Sequence, residues 1–325
     1  MHAPASSVRR AVAGWLETGA LGAVWPEALA RLQVRFASRA LARPLVLPPG
    51  LLVVTVGGAT LGGSGKTRVA LAVTRALARG GARVALIGHA YRAHPGRARV
   101  VGAADALAEV GDEALLCARS LGAGGSVVVG RSRQEAVDHA ASLLVDAIVI
   151  DGPLQLTPER ASLAILALDA HAPWGAGALP PAGDLRAPRE ALLASADLVV
   201  AVDAAPRLSA AALASLGRQR IGLFTAIGRP ARLEEALRGQ GVVPAVVVRA
   251  PDHGPLTPAL ARRLHAAKVD HWVATDKCAL HLSPVVGERA ITVLDAAIDL
   301  PRQAETALLA LLRAPRGTMS HSARP

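Results

Sequence analysis

From residue 50 onward, short apolar runs alternate with longer stretches in which apolar and polar positions recur at helical spacing. The runs Leu51–Val56, Val84–Ile87, Ser126–Val129, Ala147–Ile150, Ala164–Leu168 and Leu198–Val202 predict strands. So do Ile221–Thr225, Ala245–Val248, His271–Ala274 and Ile291–Leu294. Helical patterns fall between most of them, at about 66–79, 111–121, 132–144, 187–195, 231–239, 257–267 and 302–313. Strand and helix in alternation predict an α/β fold with parallel sheets flanked by helices. Ten strands exceed a comfortable single sheet, so the chain is expected to divide near residue 210 into a larger first domain and a smaller second α/β domain. The resulting organisation is an N-terminal segment over 1–45, a core over 46–210, a second domain with a C-terminal helix over 211–315, and a disordered tail over 316–325. No internal repeat is visible.

Residues 7–42 read as helical and amphipathic. Trp15, Leu16, Leu21, Val24 and Trp25 are interleaved with Arg9, Arg10, Arg31, Arg35, Arg39 and Arg43. Basic residues beside Trp and Leu suit a helix lying at a membrane interface. Packing on the following domain explains the same pattern. Residues 44–65 carry no charge, yet Pro44, Pro48, Pro49 and six glycines exclude a membrane-spanning helix there. Arg9-Arg10 before an apolar stretch resembles an export signal, but Glu17 interrupts the stretch and no clean cleavage site follows, so secretion is not expected.

Composition narrows the picture. Of the 325 residues, 52% are hydrophobic and 19% charged, which excludes a wholly disordered chain. Aromatics are 2%, so the core must be built from Ala, Val and Leu. The net charge is +11, and only three of the 36 cations are lysines: Lys66, Lys268 and Lys277. Such a charge fits nucleotides, nucleic acid or an anionic membrane, or else arginines scattered over a solvated surface. Stacking aromatics are nearly absent and no nucleic-acid-binding signature is present, so no nucleic-acid partner is expected. Cys117 and Cys278 lack metal-ligand spacing, which points to a reducing compartment.

The sharpest signal is the strand Leu51–Val56, then Gly57-Gly58-Ala59-Thr60-Leu61-Gly62-Gly63-Ser64-Gly65-Lys66-Thr67, then a helix. Strand, glycine-rich loop and helix in that order form a P-loop. Glycines let backbone N–H groups close around phosphate oxygens, and the helix N-terminus adds its dipole. Thr60, Leu61, Gly62, Gly63, Ser64, Gly65, Lys66 and Thr67 are thus the expected nucleotide-binding residues. Lys66 would meet the β and γ phosphates, and Thr67 would offer its hydroxyl to Mg²⁺. Asp151 ends the apolar run Ala147–Ile150, where a carboxylate beside a P-loop reaches Mg²⁺ directly or through water; a plain strand-terminal turn is the alternative. A P-loop by itself implies a nucleotide and leaves the reaction open.

Thr60 stands where the common loop has glycine, and this departure is informative. Residues 57–68 resemble Gly-Asn-Ile-Thr-Val-Gly-Gly-Thr-Gly-Lys-Thr-Pro, the loop of the tetraacyldisaccharide 4'-kinase (lipid A 4'-kinase) family, with Gly58 for Asn and Arg68 for Pro. Further blocks are similar to that family in the same order. They are Val110-Gly111-Asp112-Glu113, Asp146 through Leu156, Leu179 through Pro188, Ala226-Ile227-Gly228-Arg229-Pro230, Pro251-Asp252-His253 and Thr275-Asp276-Lys277. The resemblance runs from about residue 10 to 313. It implies a P-loop kinase core that uses ATP and Mg²⁺ to phosphorylate the 4'-hydroxyl of a tetraacylated glucosamine disaccharide 1-phosphate, a glycolipid. It also implies a monomer held peripherally or monotopically on the anionic cytoplasmic face of the bacterial inner membrane.

By the same resemblance Asp112 accepts the sugar hydroxyl proton and His253 partners it in a dyad. Asp112 also begins a helix and suits a capping role. A lone loop histidine is ordinarily only solvated. Arg131 and Arg186 match family arginines and could meet substrate phosphate or structural carboxylates, and Lys277 could serve a site or an ion pair. The chain departs from the family after Asp151. Gly152 replaces a second aspartate, Pro153 a glycine, Leu154 a phenylalanine and Leu156 a histidine, while Gln155 is kept. Upstream, Gly88-His89-Ala90-Tyr91-Arg92 keeps only the tyrosine of Ser-Arg-Gly-Tyr-Gly. Two alternatives therefore stand beside the kinase: a nucleotide-binding homologue without transfer activity, and a partner-stimulated P-loop ATPase.

Overall fold

The structure is a computed structural model that describes residues 37, 41–90, 93–203, 206–226, 230–250, 256–286, 289–294 and 297–314. Most of the amphipathic segment over 7–42, with Tyr91, His253 and the tail over 316–325, lies outside the described residues. The chain forms two compact units, one of which holds Leu185–Val202 and Ile298 onward together with the stretch up to Trp174. The other holds Gly175–Asp184 and Asp203–Ala297.

The first unit is built on a seven-stranded sheet. Its strands are β2 (Leu52–Gly58), β3 (Val84–Ile87), β4 (Arg99–Val100), β5 (Ser126–Val129), β6 (Ala147–Gly152), β8 (Leu163–Asp169) and β9 (Leu198–Val202). They run in the order β4-β5-β3-β6-β2-β8-β9, all parallel except the short edge strand β4. Every residue of β2, β3 and β8 is buried, which explains why these strands read as unbroken apolar runs: a parallel strand between helical layers has no wet face. A separate parallel pair joins β1 (Ala42–Pro44) to β7 (Gln155–Thr157).

Helix α1 (Lys66–Arg79) follows the P-loop and buries Val69, Ala70, Val73, Ala76 and Leu77, the spacing of one helical face. It stops at Gly80 with Arg79 in its last turn, where a cation suits the helix dipole. Three helices lead on along this unit: α2 (Leu107–Val110), α3 (Asp112–Leu121) and α4 (Arg133–Ser142). Helix α4 is capped by the Ser132 hydroxyl, which accepts the Glu135 N–H. It packs Ala136, Val137 and Ala140 against Val53, Ala85, Ile87, Ile148 and Ile150. Since strand residues alternate faces, Ile148 and Ile150 turn toward α4, and Asp151 turns to the opposite face. Helix α5 (Arg189–Ser195) precedes β9.

The second unit has a four-stranded parallel sheet in the order β11-β10-β12-β13. Its strands are β10 (Ile221–Thr225), β11 (Val246–Arg249), β12 (His271–Thr275) and β13 (Ala290–Leu294). Helices α6 (Ala210–Leu216), α7 (Pro230–Gly239), α8 (Pro258–Ala266) and α9 (Asp276–Val286) alternate with them. One face packs Phe224, Trp272 and Ala274 against Leu264 and Leu282, and the other packs Leu223 and Val273 against Leu216, Leu233 and Leu237. Gly222 is required beneath the Trp272 ring, since a Cβ there would lie 2.7 Å from its carbons.

Helix α10 (Arg302–Arg313), which the sequence pattern groups with the second domain, packs on α1 instead. Leu308 is fully buried, and the Leu309 and Leu312 methyls sit 2.6 and 3.2 Å from where a Cβ on Gly80 would be. Apolar positions on α10 are complementary to those of α1, and chain proximity does not decide the partner. Helix α9 is unannounced in the sequence pattern because Ser283-Pro284 reads as a break. Among the described residues, no helix is long and apolar enough to cross a membrane.

Candidate active site

The site grows from the carboxyl edge of the seven-stranded sheet. β2 lies between β6 and β8, with Val56 paired to Asp151 on one side and to Ile165 on the other. The chain leaves β2 at Gly58 and turns back through Thr60–Gly65 into α1. Gly63 and Gly65 both take φ +73°, a region that L side chains enter only with strain. Gly58 meets Ser64 so closely that an added Cβ would lie 2.9 Å from the serine Cβ and closer still to its Oγ. The Thr60 hydroxyl donates to the Gly62 carbonyl at 2.6 Å, so the residue that departs from the common loop ties the loop to itself.

At the first turn of α1, Lys66 and Thr67 converge on the end of β6. Lys66 Nζ lies 3.1 Å from Asp151 Oδ1, and the Thr67 hydroxyl donates to Asp151 Oδ2 at 2.6 Å. Burial disfavours the Lys66 ammonium, yet Asp151 and then Glu113 more than offset this and hold its pKa above the ordinary lysine value. The three residues that sequence assigns to phosphate and metal thus form one contact set.

Arg186 closes the loop from outside. Its backbone N–H donates to the Ala59 carbonyl at 2.9 Å, its Nε to the Thr60 carbonyl at 2.8 Å and its Nη2 to the Leu61 carbonyl at 3.3 Å. An antiparallel bridge between Thr60 and Leu185 sets this register. The half-buried guanidinium is held below the usual arginine value, first by lost hydration and then by Arg43, with Asp151 pulling the other way.

Asp112 is buried at the start of α3, just after Gly111 at φ +83°. Its Oδ1 accepts the Glu113 N–H at 2.9 Å. Glu113, which sequence reading treats only as part of a block, is close enough to act electrostatically on both Lys66 and His89. The His89 ring is held below its ordinary pKa by lost hydration, then by Arg133 and Lys66, against Glu113 and Asp151. The described residues do not include His253, so Asp112 is the one member of the proposed dyad that the structure places.

Two of the residues that replace the family pattern after Asp151, Leu154 and Leu156, are structural. Leu156 joins the core cluster, Leu154 is buried and its carbonyl accepts the Thr55 hydroxyl at 2.8 Å. The retained Gln155 uses Oε1 to hold the Leu156 and Ala161 N–H groups. Arg131, just before the cap of α4, is exposed and pairs with Glu135. Arg133, two residues on, is the cation that stands near Asp151. Sequence reading missed it, and no signal in the sequence marks it among the many arginines.

The donor set suits Mg²⁺. Asp151 and Thr67 offer hard oxygens on one spot, and among the described residues no group of three or more His, Cys, Asp or Glu is placed to hold a metal. A cation taking one or two protein oxygens and leaving its other positions to water and phosphate is what such a site accommodates.

A parallel sheet, a glycine-rich loop entering a helix through Gly-Lys-Thr, and a carboxylate ending the adjacent strand define the P-loop nucleotide-binding class. Within that class, residues 24–313 match the family model described as tetraacyldisaccharide-1-P 4'-kinase. A tetraacyldisaccharide 4'-kinase of Methylobacterium sp. (strain 4-46) is 38% identical over 239 residues, covering 67% of this chain and 70% of that one. One from Anaeromyxobacter dehalogenans (strain 2CP-C) is 32% identical over 328 residues, covering 85% and 86%. The crystal structure of the "apo" form of LpxK from Aquifex aeolicus in complex with ATP superposes with a TM-score of 0.65 at 20% identity, over 88% of this chain and 96% of that chain. The chain belongs to the tetraacyldisaccharide-1-P 4'-kinase family, and so to a family of kinases.

Proposed function

We propose that this protein transfers the γ-phosphate of ATP to the 4'-hydroxyl of a tetraacylated glucosamine disaccharide 1-phosphate, a step of lipid A biosynthesis. The observation that carries this reading is the Lys66–Asp151–Thr67 contact set at the mouth of the P-loop, in a chain of this family. Backbone N–H groups of Gly62–Thr67 would cradle the phosphates while Lys66 neutralises charge on the β and γ groups. Thr67 and Asp151 would hold Mg²⁺, which when bound neutralises the developing charge on the phosphate oxygens.

Asp112 would take the proton of the 4'-hydroxyl as that oxygen bonds to the γ-phosphorus. The bond from γ-phosphorus to the bridging oxygen breaks, and ADP leaves with the electron pair. Burial of Asp112, with Glu113 beside it acting on Lys66, supports a place near the transferred group. The pairing of His253 with Asp112 rests on the Pro251-Asp252-His253 block alone. The amphipathic, arginine-rich segment before residue 46 supports peripheral or monotopic docking on the anionic cytoplasmic face of the inner membrane, with the enzyme acting as a monomer. The organisation we propose is that segment, a P-loop core, a second α/β domain and a short tail.

The direct test supplies radiolabelled ATP, Mg²⁺ and tetraacyldisaccharide 1-phosphate in detergent micelles; no label in the lipid with folded protein sinks the proposal. Asp112→Ala is expected to cut turnover at least 100-fold, about 2.7 kcal/mol of barrier, with ATP affinity nearly unchanged. Equal loss of both would refute a proton-accepting role. Gly152 and Leu156, in place of a carboxylate and an imidazole, favour one other reading, a nucleotide-binding homologue without transfer. ATP binding with no transfer to any disaccharide acceptor is its signature.

A further inference from the structure

Gly152 ends β6 at φ +134°, on the face turned away from the P-loop helix. The space its side chain would fill is taken by Arg133, whose Nη2 lies 2.8 Å, and Cζ 3.7 Å, from the position of a Cβ there. Arg133 is half-buried at the start of α4. Among the described residues it has no hydrogen-bond or ion-pair partner. A guanidinium in that state has given up hydration without gaining an anion. Lost hydration, and then Arg43, depress its pKa, and the only support is the field of Asp151.

Asp151 is already engaged at both oxygens, by Lys66 and by Thr67. One carboxylate therefore faces three half-buried cations, Lys66, Arg133 and Arg186, at one edge of the sheet. Lys66 has the carboxylate and Arg186 has the loop carbonyls. Arg133 alone of the three lacks an acceptor in the described residues, and its fork of N–H donors matches two phosphoryl oxygens.

We propose that Arg133, admitted to the sheet edge by Gly152, is a phosphate-binding residue of this protein that takes the terminal phosphoryl oxygens of the donor nucleotide and so lessens the dependence of nucleotide binding on a divalent cation. This rests on the nucleotide-binding half of the proposed function and is independent of phosphate transfer to a lipid. It also gives Gly152 a role: any side chain there would meet the guanidinium and force it to shift.

The test is equilibrium binding of ATP, ADP and AMP to the full chain and to Arg133→Ala and Arg133→Lys, in EDTA and in Mg²⁺, by isothermal titration calorimetry. In EDTA, Arg133→Ala is expected to weaken ATP binding about tenfold or more and ADP less, with AMP unchanged. Arg133→Lys recovers part of the loss. Melting of the ligand-free protein should not fall in either variant, since no internal bond is removed and Arg133→Ala also relieves an unpaired half-buried charge. Equal ATP affinity in EDTA for the parent and Arg133→Ala overturns the proposal. So does equal weakening of ATP and AMP, or loss of glycolipid binding with ATP binding intact. Arg133-dependent ATP binding without transfer to lipid would sink the kinase reading alone. Transfer with Arg133-independent binding would sink this inference alone.

Discussion

Asp151→Asn separates what Asp151 does for the empty protein from what it does for the reaction. The carboxamide keeps the shape but has one acceptor oxygen where the carboxylate has two. It cannot hold Lys66 at 3.1 Å and the Thr67 hydroxyl at 2.6 Å in the same way, and its NH₂ faces another donor. A hydrogen bond to a charged group contributes about 1.5–3 kcal/mol. The Lys66 side chain is 23% exposed and that of Asp151 5%, so water recovers part of the loss on the lysine side. The expected cost is about 1–2 kcal/mol. For a unit of this size that is about 2–8 °C in melting temperature, read by calorimetry without nucleotide.

The pH dependence has a definite sign. Because folding raises the Lys66 pKa, the pair's stabilisation is fully present below the unfolded lysine value of about 10.4 and is lost as pH rises through the higher folded value. The asparagine variant should lose this alkaline dependence. Binding should move the other way from stability. In EDTA, ATP no longer competes with Asp151 for Lys66, so its affinity should rise, while Mg²⁺-dependent turnover falls at least 100-fold, about 2.7 kcal/mol. A variant as stable as the parent at pH 7, with ATP binding in EDTA unchanged or weaker, would refute the reasoning.

Two further outcomes follow from the loop's construction. Arg186→Ala removes the donors to the Thr60 and Leu61 carbonyls, so ATP affinity should fall about tenfold, the equivalent of one net hydrogen bond at about 1.4 kcal/mol, by calorimetric titration. Unchanged affinity would show that the loop holds its shape without the arginine. Gly58→Ala drives a methyl against buried Ser64 and should destabilise by about 1–3 kcal/mol, with nucleotide affinity lost in parallel. A melting temperature equal to the parent's would mean that the loop yields more easily than its packing indicates.

How much of this was legible in the sequence depends on how local the cause is. β3, β5 and β10 lie where their apolar runs place them, because burial on both faces of a parallel sheet writes itself into consecutive residues, and α1 spans Lys66–Arg79 as its spacing predicts. The strand pair β1–β7 was illegible, since Ala42–Pro44 and Gln155–Thr157 are three residues each and their pairing is set by distant chain. The short edge strand β4, antiparallel to its neighbour, was equally hidden. In the site, Lys66, Thr67 and Asp151 announced themselves through a loop whose chemistry demands those types in that order. Arg186 shows only as a match to a family arginine with two roles open to it, and Arg133 not at all, because one arginine among so many is told apart only by what it touches. For Arg131 and Arg133, two residues apart at the start of α4, that difference is whether each reaches toward Glu135 or toward Gly152.

The placement of α10 has a consequence for biosynthesis. The helix that covers Gly80 and packs beside α1 is contributed by the last part of the chain, after Ala297, whereas α1 itself is made early. The unit that carries the P-loop is therefore interrupted in sequence by the second unit and cannot bury the outer side of its own nucleotide-binding helix until Leu308 leaves the ribosome. The inserted unit, contiguous over most of its length, has no such wait. Assembly at the ribosome should thus finish with the nucleotide-binding unit, and a nascent chain stalled short of Ile298 would present an incompletely covered α1, a surface for chaperones to hold.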